Sequence, residues 1–142
     1  WKVGPKGNSG IFYRATEATD RIYENAPEMQ VLDNAGHKDG LSPLTSAGAN
    51  DALYAPPRDV SKPAGQWNAV RIVAVGPHVE HWLNGVKLLE YEQGSPAWQA
   101  LVAKSKFAQW PPYGLAMRGH IGLQDHGDVV EFKNIRIREL SR

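Results

Sequence analysis

Apolar and polar residues alternate with period two in several short stretches, and glycine- or proline-containing turns separate them. Residues 9–16 place Ile11, Tyr13 and Ala15 on one face and Gly10, Phe12, Arg14 and Thr16 on the other, which is the pattern of a half-buried strand. Residues 28–34 set Met29 and Val31 against Glu28, Gln30 and Leu32. Residues 67–75 alternate Val70, Ile72 and Ala74 with Arg71 and Val73, turn at Gly76-Pro77, and return through 78–83. Asn84-Gly85 then predicts a type I′ hairpin leading into 86–91. Residues 120–123 read as a further strand, with Gly127-Asp128 as the turn of a hairpin and 129–140 as its returning strand. The apolar parity shifts near Asn134, from Val130 and Phe132 to Ile135 and Ile137, and predicts a bulge there. Residues 1–3 look like the end of a strand, followed by a turn at 4–8.

Helical spacing occurs once. Ser95 suits an N-cap and Pro96 the first helical position, and Trp98, Leu101 and Val102 give one apolar face up to about Lys104. Residues 34–65 lack a pattern and hold prolines at 43, 56, 57 and 63; loops of that length tend to be lids or binding loops. Residues 107–114, aromatic and proline-rich, read as an ordered crossing loop.

With 142 residues, 14 glycines and 10 prolines, these elements predict one all-β domain over 1–142, a two-sheet antiparallel jelly-roll sandwich with one short helix and one curved sheet. The net charge of +1 is spread among scattered basic residues, which excludes a nucleic-acid stripe. No apolar run reaches the length of a membrane-spanning helix. Without cysteine there is no disulfide, thiolate metal site or cysteine nucleophile. Phosphate loops, nucleophile elbows and zinc-protease motifs are also missing.

Glu28 and Gln30, two residues apart on one strand face, either grip hydroxyls and move a proton or stand as ordinary outer-face residues. Arg14 is either a solvated side chain or a fixed cation above a sugar or carboxylate. Gln124, Asp125 and His126 beside glycines fit either a surface turn or the end of a site. His37 and Asp39 are weak metal-ligand candidates in a long loop. His81 shares a face with Val79 and Leu83, and so reads more readily as structural than catalytic. Trp82, on the opposite face, either packs or offers a surface for sugar stacking.

Six blocks taken in order, 7–14 (GNSGIFYR), 28–34 (EMQVLDN), 65–68 (GQWN), 81–85 (HWLNG), 122–127 (GLQDHG) and 132–135 (FKNI), closely resemble the 3-keto-disaccharide hydrolase family, whose fold is concanavalin A-like. The resemblance spans nearly the whole chain. Members usually carry further strands before the segment matching Trp1, so the expectation is a sheet whose early strands are missing or come from a partner chain. Asp51 stands where the family usually has glycine, in Asp51-Ala52-Leu53-Tyr54.

The resemblance implies cleavage of glycosides already oxidised at C3. A C3 ketone acidifies the C2 hydrogen, so a base forms an enolate, the C1 substituent leaves, and water adds back. Such a site needs a base, donors for the enolate oxygen and an acid for the leaving group. Strand parity places Glu28, Gln30, Arg14, Gln124 and His126 on one face. On this reading His126 is the first choice for proton transfer and Glu28 is the second acid/base. Arg14 and Gln30 hold oxygens, Asp125 orients His126, and Asn8, Asp33, His81 and Trp82 line the wall. No cofactor is required, although a structural calcium ion would suit the fold. The family implies a periplasmic or secreted location. Two rival readings remain: a non-catalytic carbohydrate-binding module using Trp82, Trp110 and Tyr113 as platforms, and a structural domain of a larger assembly.

Overall fold

In the computed structural model, which describes residues 1–140, the chain folds mostly into antiparallel strands. β1 (Lys2–Val3) turns at Gly4–Gly7 into β2 (Asn8–Ala15), and β3 (Glu28–Leu32) follows. The long 34–65 segment holds only short 3₁₀ turns and isolated bridges. β4 (Val70–Val75), β5 (His78–Leu83) and β6 (Val86–Glu92) form a meander. α1 (Pro96–Lys104), β7 (His120–Leu123) and β8 (Val130–Glu131) complete the order.

Two three-stranded sheets, β3-β2-β7 and β4-β5-β6, are accompanied by a β1-β8 ribbon. The core lies between the larger sheets, with Tyr13, Met29 and Val31 from one and Val79, Leu83, Leu88 and Tyr91 from the other. β5 buries Val79, His81 and Leu83 in strict alternation, as a strand with one covered face requires. The expected sandwich is therefore present.

The local signals act as their chemistry dictates. Asn84 and Gly85 both have positive φ, the requirement of a type I′ turn. Ser95 accepts the Trp98 amide at 3.2 Å and caps α1. Beneath that helix, Phe107, Tyr113, Trp98, Tyr91 and Tyr54 form a continuous column of stacked rings.

The carboxy-terminal hairpin is corrected. β7 pairs with β2 and β8 with β1, so the two strands flanking Gly127 belong to different sheets. Residues 124–129 are consequently a crossing between layers, and past Glu131 the described chain is irregular. Asn134 nevertheless has φ +55°, a left-handed conformation at the position where the parity shift predicted a bulge.

Candidate functional site

Residues directly opposed across an antiparallel pair share a face. Gly10 opposes Gln30 and Phe12 opposes Glu28, so Asn8, Gln30 and Glu28 stand on one face of β2 and β3. All three are buried. The segment 48–51 runs along the outer edge of β3, where Gln30 N donates to Ala49 O at 3.0 Å and Asp51 N to Glu28 O at 3.1 Å.

Glu28 leans across Gly10. A Cβ at that glycine would overlap Glu28 Oε1, so the position must lack a side chain. The carboxyl is 5% exposed, and Oε1 has no hydrogen-bond partner. Burial first, and the Asp51 charge second, raise its pKa to about 8, with Lys106 opposing them. At neutral pH Glu28 is thus mainly the neutral acid. Perturbed carboxyls of this kind concentrate at functional sites.

From Gly10, over which the Glu28 carboxyl leans, the row continues two residues along β2 to Asn8, about 7 Å at roughly 3.3 Å each. Gln30 Nε2 donates to Asn8 Oδ1 at 3.3 Å. Asn8 N donates to Asp128 Oδ2 at 3.1 Å, and Asn8 Nδ2 lies 3.5 Å from Asp39 Oδ2. Each acid has a histidine beside it: His126 Nδ1 is 3.5 Å from Asp128, and His37 Nδ1 is 3.6 Å from Asp39. Gln124 joins by its backbone, donating to Gly10 O at 2.9 Å and accepting Ser9 Oγ at 2.7 Å. Glu28, Gln30, Asn8, Gln124 and His126 are therefore strung along one strand, with the acid at one end and the imidazole at the other.

The remaining expected site residues lie elsewhere. Arg14 is not on this face: the β2–β7 register shifts between Phe12 and Ala15, and Arg14 has φ +56°. The bulge turns its guanidinium to the second sheet, where it donates to Gln93 Oε1 at 2.7 Å and to Gly76 O. Asp125 accepts the Gly127 amide at 2.9 Å, so it shapes the turn while Asp128 partners His126. Asp33 accepts Lys6 N at 2.8 Å and holds the β1–β2 turn. His81 is wholly buried between Tyr13 Oη at 2.8 Å and Gly48 O at 3.1 Å; since the carbonyl only accepts, Nδ1 carries the proton. Burial lowers its pKa to about 4. Trp82 lies on the far side of the other sheet, with the Arg71 guanidinium 4.0 Å above its ring and Glu80 on its Nε1.

Sequence reasoning missed Lys106 and Asn50, and singled out Asp51 only as a departure from glycine and Tyr113 only as a sugar platform, because each lies on irregular backbone where no period assigns a face. Asp128 had a signal, the spacing of two that gives it the parity of His126. The Asn50 side-chain amide and the Tyr113 hydroxyl are buried without partners. Burial and nearby Tyr91, Asp51 and Glu28 keep Tyr113 a phenol. Among the described residues the one cluster with metal-ligand geometry is His78, Glu80 and Glu90, on the outward face of β5 and β6.

The chain matches the family model of the 3-keto-alpha-glucoside-1,2-lyase-like domain over residues 1–138. It is 40% identical to a 3-keto-disaccharide hydrolase of Bacteroides thetaiotaomicron, with 99% of this chain and 56% of that protein aligned. A crystal structure of a candidate glycosyl hydrolase from Parabacteroides distasonis superposes with TM-score 0.84 at 34% identity, covering 90% of this chain and 63% of that one. A second from the same organism gives TM-score 0.60 at 31% identity, over 65% and 47%. The chain thus spans somewhat over half the length of the Bacteroides relative and of the first Parabacteroides structure. With the sandwich, the six sequence blocks and these matches in agreement, the chain belongs to the 3-keto-alpha-glucoside-1,2-lyase-like domain family.

Proposed function

We propose that the polar row on β2 and β3 is the catalytic face of an enzyme that cleaves 3-keto-glycosides by elimination followed by hydration. The observation that carries this reading is Glu28: a buried, uncharged carboxyl with an unpartnered oxygen, at one end of a polar row that runs through Gln30 and Asn8 towards His126. Family membership and the name of the Bacteroides relative supply the substrate class.

Each group has a role in the reaction. His126, beside Asp128, takes the C2 proton as its imidazolium forms, and the negative charge develops on the C3 oxygen. Gln30 and Asn8 supply amide N–H groups to sugar oxygens. The C1–O bond breaks as the enolate collapses to a C1–C2 double bond, and Glu28 passes its proton to the departing oxygen. Water then adds its oxygen at C1, the Glu28 carboxylate takes one proton from it, and His126 returns a proton to C2. Both catalytic groups end in their starting states.

Burial also weighs against the lectin-like alternative. Tyr113 is enclosed in the ring column, Trp110 packs against Phe107 and Tyr23, and Arg71 covers one face of Trp82 on the far side of the other sheet, so the three rings do not combine into one sugar-stacking platform. The test is release of aglycone from an aryl 3-keto-glucoside, followed by absorbance, with the unoxidised glucoside as control. Turnover of the ketone alone is expected, and Glu28→Gln should lower it by roughly 10²–10⁴-fold. Binding of both sugars without turnover would overturn the reading.

A further inference from the structure

The Glu28 carboxyl is flanked by a charged pair from two other segments. Asp51 reaches it because the 48–51 segment hydrogen-bonds along β3, with Asp51 N on Glu28 O. Opposed residues on paired backbones project to the same side, so the Asp51 carboxylate stands beside Glu28. Lys106, in the turn after α1, closes the group by donating from Nζ to Asp51 Oδ2 at 2.6 Å. Asp51 is nearly enclosed, whereas about half of the Lys106 side chain meets solvent.

We propose that Asp51 and Lys106 are positioning residues that set the charge of Glu28, Asp51 holding it as an acid and Lys106 limiting that bias. This rests on the reading of Glu28 as the proton donor. An anion beside a buried carboxyl disfavours a second negative charge, and a cation beyond it relieves part of that cost. The other ionisable groups whose charge couples to Glu28 are Tyr13 and Tyr113, both phenols at working pH. Gly10, Phe12 and Gly122 bring no charge from β2 and β7. Charge control therefore lies with the pair. Because Lys106 is the solvent-facing member, a ligand or salt that engages its ammonium changes the acid without touching it.

Two charge-removing variants act in opposite directions. Asp51→Asn removes the anion, so the Glu28 titration and the alkaline limb of the pH–rate profile should both move to lower pH. Lys106→Met removes the cation and leaves Asp51 unopposed, so both should move to higher pH. Carboxyl carbon NMR of Glu28 reads the titration without activity, and amide spectra report whether each variant is folded. Opposite shifts in the carboxyl titration support the inference, and a titration that stays put or moves the same way in both variants overturns it. If the titrations shift oppositely but no 3-keto-glycoside is turned over at any pH, the charge control stands and the reading of Glu28 as catalyst fails. If turnover occurs and Glu28→Gln abolishes it while the titrations stay put, that reading stands and the charge control fails.

Discussion

The two sheets each carry a polar face, and the two faces are built on opposite principles. On β5 and β6 the charged groups satisfy one another: His78 Nδ1 meets Glu92 at 2.7 Å, Glu80 accepts Trp82 Nε1 at 2.6 Å, and Lys87 meets Glu90 at 2.6 Å. His78 is consequently held above its usual range by Glu92 and Glu80, and Glu80 below its own by Trp82. On β2 and β3 the acid is buried, pushed the other way, and left with an open acceptor. Leaving a buried polar group unpaired costs about 1–3 kcal/mol. The contrast teaches that a polar face becomes a candidate for chemistry through what its groups lack.

Predictions that test this contrast run from large to small. Among substitutions that leave every proposed catalytic group in place, Gly10→Ala should have the largest effect on activity, since the new methyl group overlaps Glu28 Oε1. Displacing a reacting group by about 1 Å can cost on the order of 10²-fold, read as kcat/KM on an aryl 3-keto-glucoside. Arg71→Ala on the other sheet should leave that value unchanged.

Stability against pH gives the second test. A carboxyl whose folded pKa is raised from 4.5 to about 8 favours the folded state fully below pH 4.5, and that contribution declines as pH rises to about 8. The unfolding free energy obtained from urea titrations should fall across this window by at most about a few kcal/mol, and Glu28→Gln should flatten the slope. His81 works from the other side. Its folded pKa of about 4 means that stability is complete above about 6.5 and is lost as pH falls through 4. His81→Phe should remove that acid limb, at a cost of roughly 1–3 kcal/mol for the Gly48 carbonyl left unpaired, while Tyr13 Oη keeps its hydrogen bond to Tyr91 Oη. The smallest effect belongs to Glu80→Gln, roughly 0.2–1 kcal/mol and weakened by salt, because exposed ion pairs contribute little.

Much of the scaffold was legible in the sequence. Asn84-Gly85, the Ser95 cap and the alternation of β5 are local signals, and local backbone geometry answers to them. The polar row was partly legible because Glu28, Gln30 and Asn8 obey strand parity. Arg14 was misplaced for a physical reason: parity counts residues, and a bulge inserts one without any change in composition. The hairpin failed similarly, since a turn sequence at Gly127 does not say whether the strands on either side join one sheet or two. Asp51 and Lys106, 55 positions apart in the chain, meet only through the path of irregular segments, and no periodic pattern encodes that path.

The ring column has an optical consequence. Of the five tryptophans, Trp98 alone sits between two tyrosines, Tyr91 from β6 and Tyr113 from the segment that begins near Lys106. Movement of that segment separates stacked chromophores and alters their excitonic coupling. Near-ultraviolet circular dichroism therefore offers a dye-free gauge of whether the lysine-bearing turn shifts when a sugar enters.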